Sequence, residues 1–265
     1  MKRRWLGIHV LALLGVLVLA HGCATLAEDE EPDRPSGAAA SRARAHQSVG
    51  AAHLREGRVA LAIRALRASE ELNPQDRWTQ LTLAEAYRMK GLNVDAERHL
   101  HKALVVDPTF QEARLTLSGL YIQIGRYDAA IAEAQLLIDD PTYPQPWTAL
   151  TNKGYALFKL DRRTEAREAL TQAVEYAERY WRAQLNLAIL DAEEGKRIDA
   201  LEGFERVLEL RPGPLGAAEA NYRIADIYVS LGNRERALEH LVAASSQRPS
   251  GPWGKRSEDY LRRLR

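Results

Sequence analysis

The sequence predicts an all-α chain, a superhelical stack of helix pairs, on three observations. A small-residue pair five positions apart opens at Gly57/Ala62 and returns as Gly91/Ala96, Gly125/Ala130, Asp161/Ala166, Gly195/Ala200 and Gly232/Ala237. The steps are 34, 34, 36, 34 and 37 residues, so one 34-residue unit recurs with two small insertions. Each unit places a stretch of helical apolar periodicity on either side of its glycine, and none shows the alternation of a strand. A fixed period of this size marks an array in which every unit covers its neighbour's apolar face.

The chain divides into four stretches. Residues 1–22 read as a secretory signal: Lys2, Arg3 and Arg4 precede an apolar run from Leu6 to Ala20, too short for a membrane span of roughly 20 residues. Leu19-Ala20-His21-Gly22-Cys23 resembles the lipobox of bacterial lipoproteins, with His21 where a small or apolar residue is usual, and makes Cys23 the expected lipidation site. Cys23 is the only cysteine, so no intramolecular disulfide is available; the alternative is a stray thiol in a cleaved peptide. Several acyl chains on one residue would anchor durably, each buried methylene adding about 0.8 kcal/mol. Residues 23–40 read as the lipidated cysteine and a flexible tether, because Glu28-Asp29-Glu30-Glu31, two prolines and a small-residue tail cannot bury a core. Ala24 after the cysteine implies, by resemblance to lipoprotein sorting, an outer-membrane location, lipid-anchored and facing the periplasm.

Residues 41–251 match the frame of the tetratricopeptide repeat, with six units at about 43–76, 77–110, 111–144, 147–180, 181–214 and 218–251. Glycine ends each first helix because it reaches the left-handed conformation without a Cβ penalty. Alanine five residues on lies where the second helix crosses the first. Leu66, Leu100, Leu170, Phe204 and Leu241 fill the large apolar position of the second helix, and Pro74, Pro108, Pro212 and Pro249 close their units. Residues 252–265 place Trp253, Tyr260, Leu261 and Leu264 on one stripe among basic residues, a helix that caps repeat six or, alternatively, meets anionic lipid.

Composition narrows the function. The net charge is +1, and −2 once residues 1–22 are gone, so no general field for nucleic acid exists. His99 and His101 fall on different helical faces, Glu193-Glu194 and Asp139-Asp140 are adjacent pairs suited to solvent, and the glycines punctuate helices rather than cradle phosphate. No enzyme, metal, cofactor or small-molecule substrate is expected. What remains is surface: the first helices should line a concave groove with Trp78, Leu81, Leu115, Ile122, Tyr155, Phe158, Leu185, Ile189 and Tyr222, residues that bind a partner or pack as core. Asn152 and Asn186 occupy the same place in adjacent repeats, where amides hold an extended backbone or serve the repeat itself.

Between repeats three and four, Asp140-Pro141-Thr142-Tyr143-Pro144-Gln145-Pro146 reads as an extended, stiff spacer. This Asp-Pro-x-Tyr-Pro segment, followed by Asn152-x-Gly154, resembles the PilF/PilW/Tgl lipoproteins of type IV pilus assembly, Tgl in particular. The resemblance implies a pilotin, an outer-membrane lipoprotein that promotes insertion and multimerisation of the pilus secretin, its expected partner. The other reading is a general periplasmic scaffold for outer-membrane protein assembly or cell-wall enzymes.

Overall fold

The computed structural model describes residues 37–264; the signal, Cys23 and most of the tether lie outside the described residues. All thirteen described elements are helices. In chain order they are α1 (Gly37–Arg55), α2 (Val59–Leu72), α3 (Arg77–Met89), α4 (Asn93–Val106), α5 (Gln111–Gln123), α6 (Tyr127–Ile138) and α7 (Pro146–Lys159). The stack continues with α8 (Arg163–Tyr176), α9 (Trp181–Glu193), α10 (Arg197–Glu209), α11 (Gly213–Ser230), α12 (Arg234–Gln247) and α13 (Pro252–Leu264). Each helix packs on the one before it, and the first helices α1, α3, α5, α7, α9 and α11 also lie side by side. None of the described helices is long and apolar enough to cross a membrane.

The repeating pair performs as its chemistry requires. Gly57, Gly91, Gly125, Gly195 and Gly232 take φ of 73–78° at the first-helix ends, and Asp161, the one non-glycine in the column, is driven to 59°. All six paired alanines, from Ala62 to Ala237, are sealed from solvent. Opposite them runs a second small-residue column on the first helices: Gly50, Ala84, Ser118, Gly154, Ala188 and Ala225 are all buried. A Cβ on Gly154 would stand 2.6 Å from Leu170 Cγ, so the close approach of α7 and α8 needs glycine there.

Repeats two and six share a polar device inside the pair. His99 Nδ1 donates to Gln80 Oε1 at 2.6 Å while its ring stacks on Tyr87, the centroids 5.2 Å apart. His240 Nδ1 likewise donates to Asn221 Oδ1 at 2.8 Å and stacks on Tyr228 at 5.9 Å. The amide NH2 groups face other acceptors, Pro74 O and Glu70 for Gln80 and Ala217 O for Asn221, which fixes the amide oxygens toward the imidazoles.

Four expectations are corrected. Helix α1 starts at Gly37, inside the stretch read as tether, because Ala38, Ala39 and Ala40 are strong helix formers and Ser41 Oγ bonds back to Gly37 O. The segment after α6 is a folded turn rather than a bare spacer. Thr142 N donates to Asp140 Oδ1 at 2.8 Å and Tyr143 N to Asp140 O at 3.1 Å. Asp107-Pro108-Thr109-Phe110 makes the same two bonds, at 2.9 and 3.1 Å, so Asp-Pro-Thr-aromatic is the ordinary closure of a repeat. Tyr143 stands eleven residues before Gly154 where Phe110 stands eight before Ser118, so three residues are added after the turn and one is lost before it, and Tyr143 packs against the Ala134, Leu137 and Ala149 cluster. Helix α11 begins five residues before the expected start of repeat six: Arg211 and Gly213 turn the chain at positive φ, and the helix gains a turn. Glu194 is not simply solvated, since it pairs with Arg167 and Lys196 at 2.7 and 2.8 Å. The C-terminal stretch meets its expectation as a cap, α13 packing on α11 and α12 through Leu261 against Ala225 and Leu241.

Candidate functional site

The inner face of the stack is built by the first helices, because each turns its small-residue column outward to its own partner helix and leaves the opposite positions free. Across α5, α7, α9 and α11 these free positions enclose a pocket of about 240 Å³. Ile122 and Tyr155 form one side, Trp181 and Leu185 the other, and Asn152 and Asn186 project into it from adjacent repeats. Asn152 Nδ2 donates to Ser118 Oγ at 3.3 Å, leaving its oxygen without a donor, and the Asn186 side chain makes no hydrogen bond within the described residues.

The far wall comes from the added turn of α11: Leu215, Gly216 and Glu219 face α9. A Cβ on Gly216 would stand 2.8 Å from the Trp181 ring, so the wall closes only around a glycine. Glu219 is held by Arg223 at 3.3 Å. Arg182 lies over the Trp181 ring, 4.7 Å from its centroid, and forms no ion pair among the described residues. Burial raises the Tyr180 phenol above its usual range, so it stands in the pocket as a neutral donor.

Five of the expected groove residues, Ile122, Asn152, Tyr155, Leu185 and Asn186, meet in this pocket. The other six do not. Leu81 and Ile189 are only 6% and 5% exposed and belong to the core between repeats, where side chains at their positions interlock instead of facing a partner. Leu185 is also 6% exposed and offers the pocket only an edge. Leu115 packs against the Ala134, Leu137 and Ala149 cluster, and Phe158 bridges two core clusters. Tyr222 is covered by Trp253 and Tyr260, at 5.2 and 6.1 Å, so the capping helix closes the groove there. Trp78 stays 43% exposed, but in a separate place, edge-on to Phe110. Sequence reasoning missed Tyr180, Trp181 and Arg182, although Tyr180 continues the repeat-closing aromatic column of Phe110 and Tyr143. A larger hollow of about 710 Å³ on the outer side of α4 carries Arg98 and Lys102, both already paired with Asp95 and Glu70.

Among the described residues no group of three or more His, Cys, Asp and Glu side chains could hold a metal. A tetratricopeptide repeat family model matches residues 90–152, and a second matches 148–180 and 218–250. Those stretches are tetratricopeptide repeats, and the described fold is a tetratricopeptide superhelix. Proteins of this fold are in general interaction scaffolds. The tetratricopeptide array superposes on the crystal structure of PilW, described as a widely conserved type IV pilus biogenesis factor, with a TM-score of 0.69 at 20% identity, covering 81% of this chain and 97% of PilW. On PilF of Pseudomonas aeruginosa the TM-score is 0.65 at 16% identity, covering 84% and 99% of the two chains. At these identities the likeness establishes the shared fold. Over 58 residues, 22% of its length, the chain is 40% identical to the photosystem I assembly protein Ycf3 of Prochlorococcus marinus (strain MIT 9211). It spans about a third of that relative, 34%.

Proposed function

We propose that this protein is a non-enzymatic pilotin of the Tgl kind: a lipoprotein held to the outer membrane through Cys23, whose inner face receives the type IV pilus secretin and promotes its multimerisation. The observation that carries the reading is the extent of the likeness. Superposition covers 97% of PilW and 99% of PilF, so the whole of each pilus-biogenesis array, and not a shared pair of repeats, has its counterpart here. The lipobox-like start and the net two-residue insertion around Pro144-Gln145-Pro146 support it further. The Asp-Pro-Thr-Tyr turn contributes less, because repeat two closes in the same way. Deleting the gene is expected to abolish detergent-resistant secretin multimers and surface pili. Undiminished multimers in the deletion strain would exclude the reading.

A further inference from the structure

The pocket ends, on the side of repeat six, against a wall that no other repeat builds. Resting on the reading of the inner face as a partner surface, we propose that this pocket is the terminal subsite of the groove: it seats one large apolar side chain of an extended partner segment and pairs Arg182 with a carboxylate beside that side chain.

The lining supplies each part of that recognition. Tyr155, Trp181 and Leu215 offer apolar walls around about 240 Å³, room for one aromatic or branched side chain. Leu215 is 42% exposed, a large apolar surface that a bound side chain would cover. The free oxygen of Asn152 and the whole amide of Asn186 present acceptors and donors one repeat apart, which suits the alternating groups of an extended peptide. Charge at the mouth selects the neighbour. Glu219 is spent on Arg223, so the uncommitted charge is the Arg182 guanidinium, which pairs with a carboxylate and repels an ammonium.

The wall also sets where the segment stops. Gly216 lies against Trp181, and beyond it Tyr222 is already covered by Trp253 and Tyr260. An extended chain therefore leaves the groove at α11 instead of running on along repeat six. The residues that confer this are Leu215 and Gly216, positioned by the three-residue insertion that lengthens α11, together with Arg182 on α9.

The test uses the full chain in detergent and three probes, N-acetyl-Asp-Phe-Gly-amide, N-acetyl-Lys-Phe-Gly-amide and N-acetyl-Asp-Ala-Gly-amide. Binding is followed by NMR at the Asn186 side-chain amide and the Trp181 indole. The Asp-Phe peptide should bind about fivefold more tightly than the Lys-Phe peptide, the scale of an exposed ion pair. It should exceed the Asp-Ala peptide about tenfold through the apolar contact. Arg182→Glu should invert the first preference, Arg182→Lys should keep it, and Leu215→Ala should shrink the second. Equal affinity for the three peptides, or no response at Asn186 and Trp181 at millimolar peptide, overturns the subsite. Capture of purified secretin protomers separates this inference from the pilotin reading. Peptide selectivity with no secretin captured leaves the subsite standing and removes the secretin as its partner. Secretin captured equally by wild type and Arg182→Glu overturns the subsite and leaves the pilotin reading in place.

Discussion

Gly154 shows how little slack a single residue has in this stack. Its missing Cβ is the space that Leu170 Cγ occupies, whereas Gly119 on α5 has no atom within 4 Å of the same construction. Gly154→Val should therefore lower stability by about 1–3 kcal/mol through overpacking, whereas Gly119→Val should be neutral or stabilise by a few tenths of a kcal/mol, valine being the better helix former. Urea titration of the two variants checks the contrast. His99 is the second residue to watch. It is 1% exposed, its Nε2 has no partner, and burial pulls its pKa down to about 4 despite the nearby Glu70. The folded state therefore binds its proton less readily than the unfolded chain, whose imidazole titrates at about 6.5. The stability this residue supports is complete above that value and falls away as pH drops from about 6.5 to about 4, by up to about 3 kcal/mol. Denaturant midpoints at pH 7 and pH 5 should separate further in wild type than in His99→Gln. Both residues were readable only in part: the period located their columns, but a buried polar network depends on side-chain directions that spacing does not carry.

At the scale of an element, the helices themselves were legible because glycine, alanine and proline occupy positions that only one backbone path satisfies. The departures come from insertions. The three prolines of Asp140 to Pro146 announced a stiff spacer, and the chain instead made its usual Asp-Pro turn and placed the surplus after it. Three extra residues before repeat six gave no sign of which way they would fold; they lengthened α11 and built one wall of the pocket. Groove positions were legible by column, yet Leu81 and Ile189 turned inward because neighbouring repeats meet more closely than a repeat-by-repeat reading assumes. Helix α13 has a consequence of its own. Removing residues 252–265 would bare Tyr222, Ala225 and Leu241. Losing the burial of Leu261 and Trp253 should reduce stability by about 3 kcal/mol or more. Earlier thermal unfolding, with light scattering from the exposed face, is the expected result.

For the whole molecule, the array is held by contacts between successive helices, and the anchor expected at Cys23 lies outside the described residues. Cys23→Ser is expected to release the protein from the outer membrane while circular dichroism and melting of the array stay unchanged. Fractionation of cells carrying the variant, with spectra of the purified protein, tests both halves. An array that lost its helicity on this substitution would contradict the division.

The histidine–tyrosine–amide sets of repeats two and six have a bearing on how such a chain can change over generations. Gln80, Tyr87 and His99 sit at the same intervals as Asn221, Tyr228 and His240, and each set is contained in a single helix pair. A crossover that swaps, duplicates or drops one whole pair carries the set along intact and asks nothing new of the flanking pairs. Trp181 and Gly216 straddle two pairs, so the same exchange would break them apart. Lineages of this protein should thus gain and lose length freely elsewhere while keeping that one junction undisturbed.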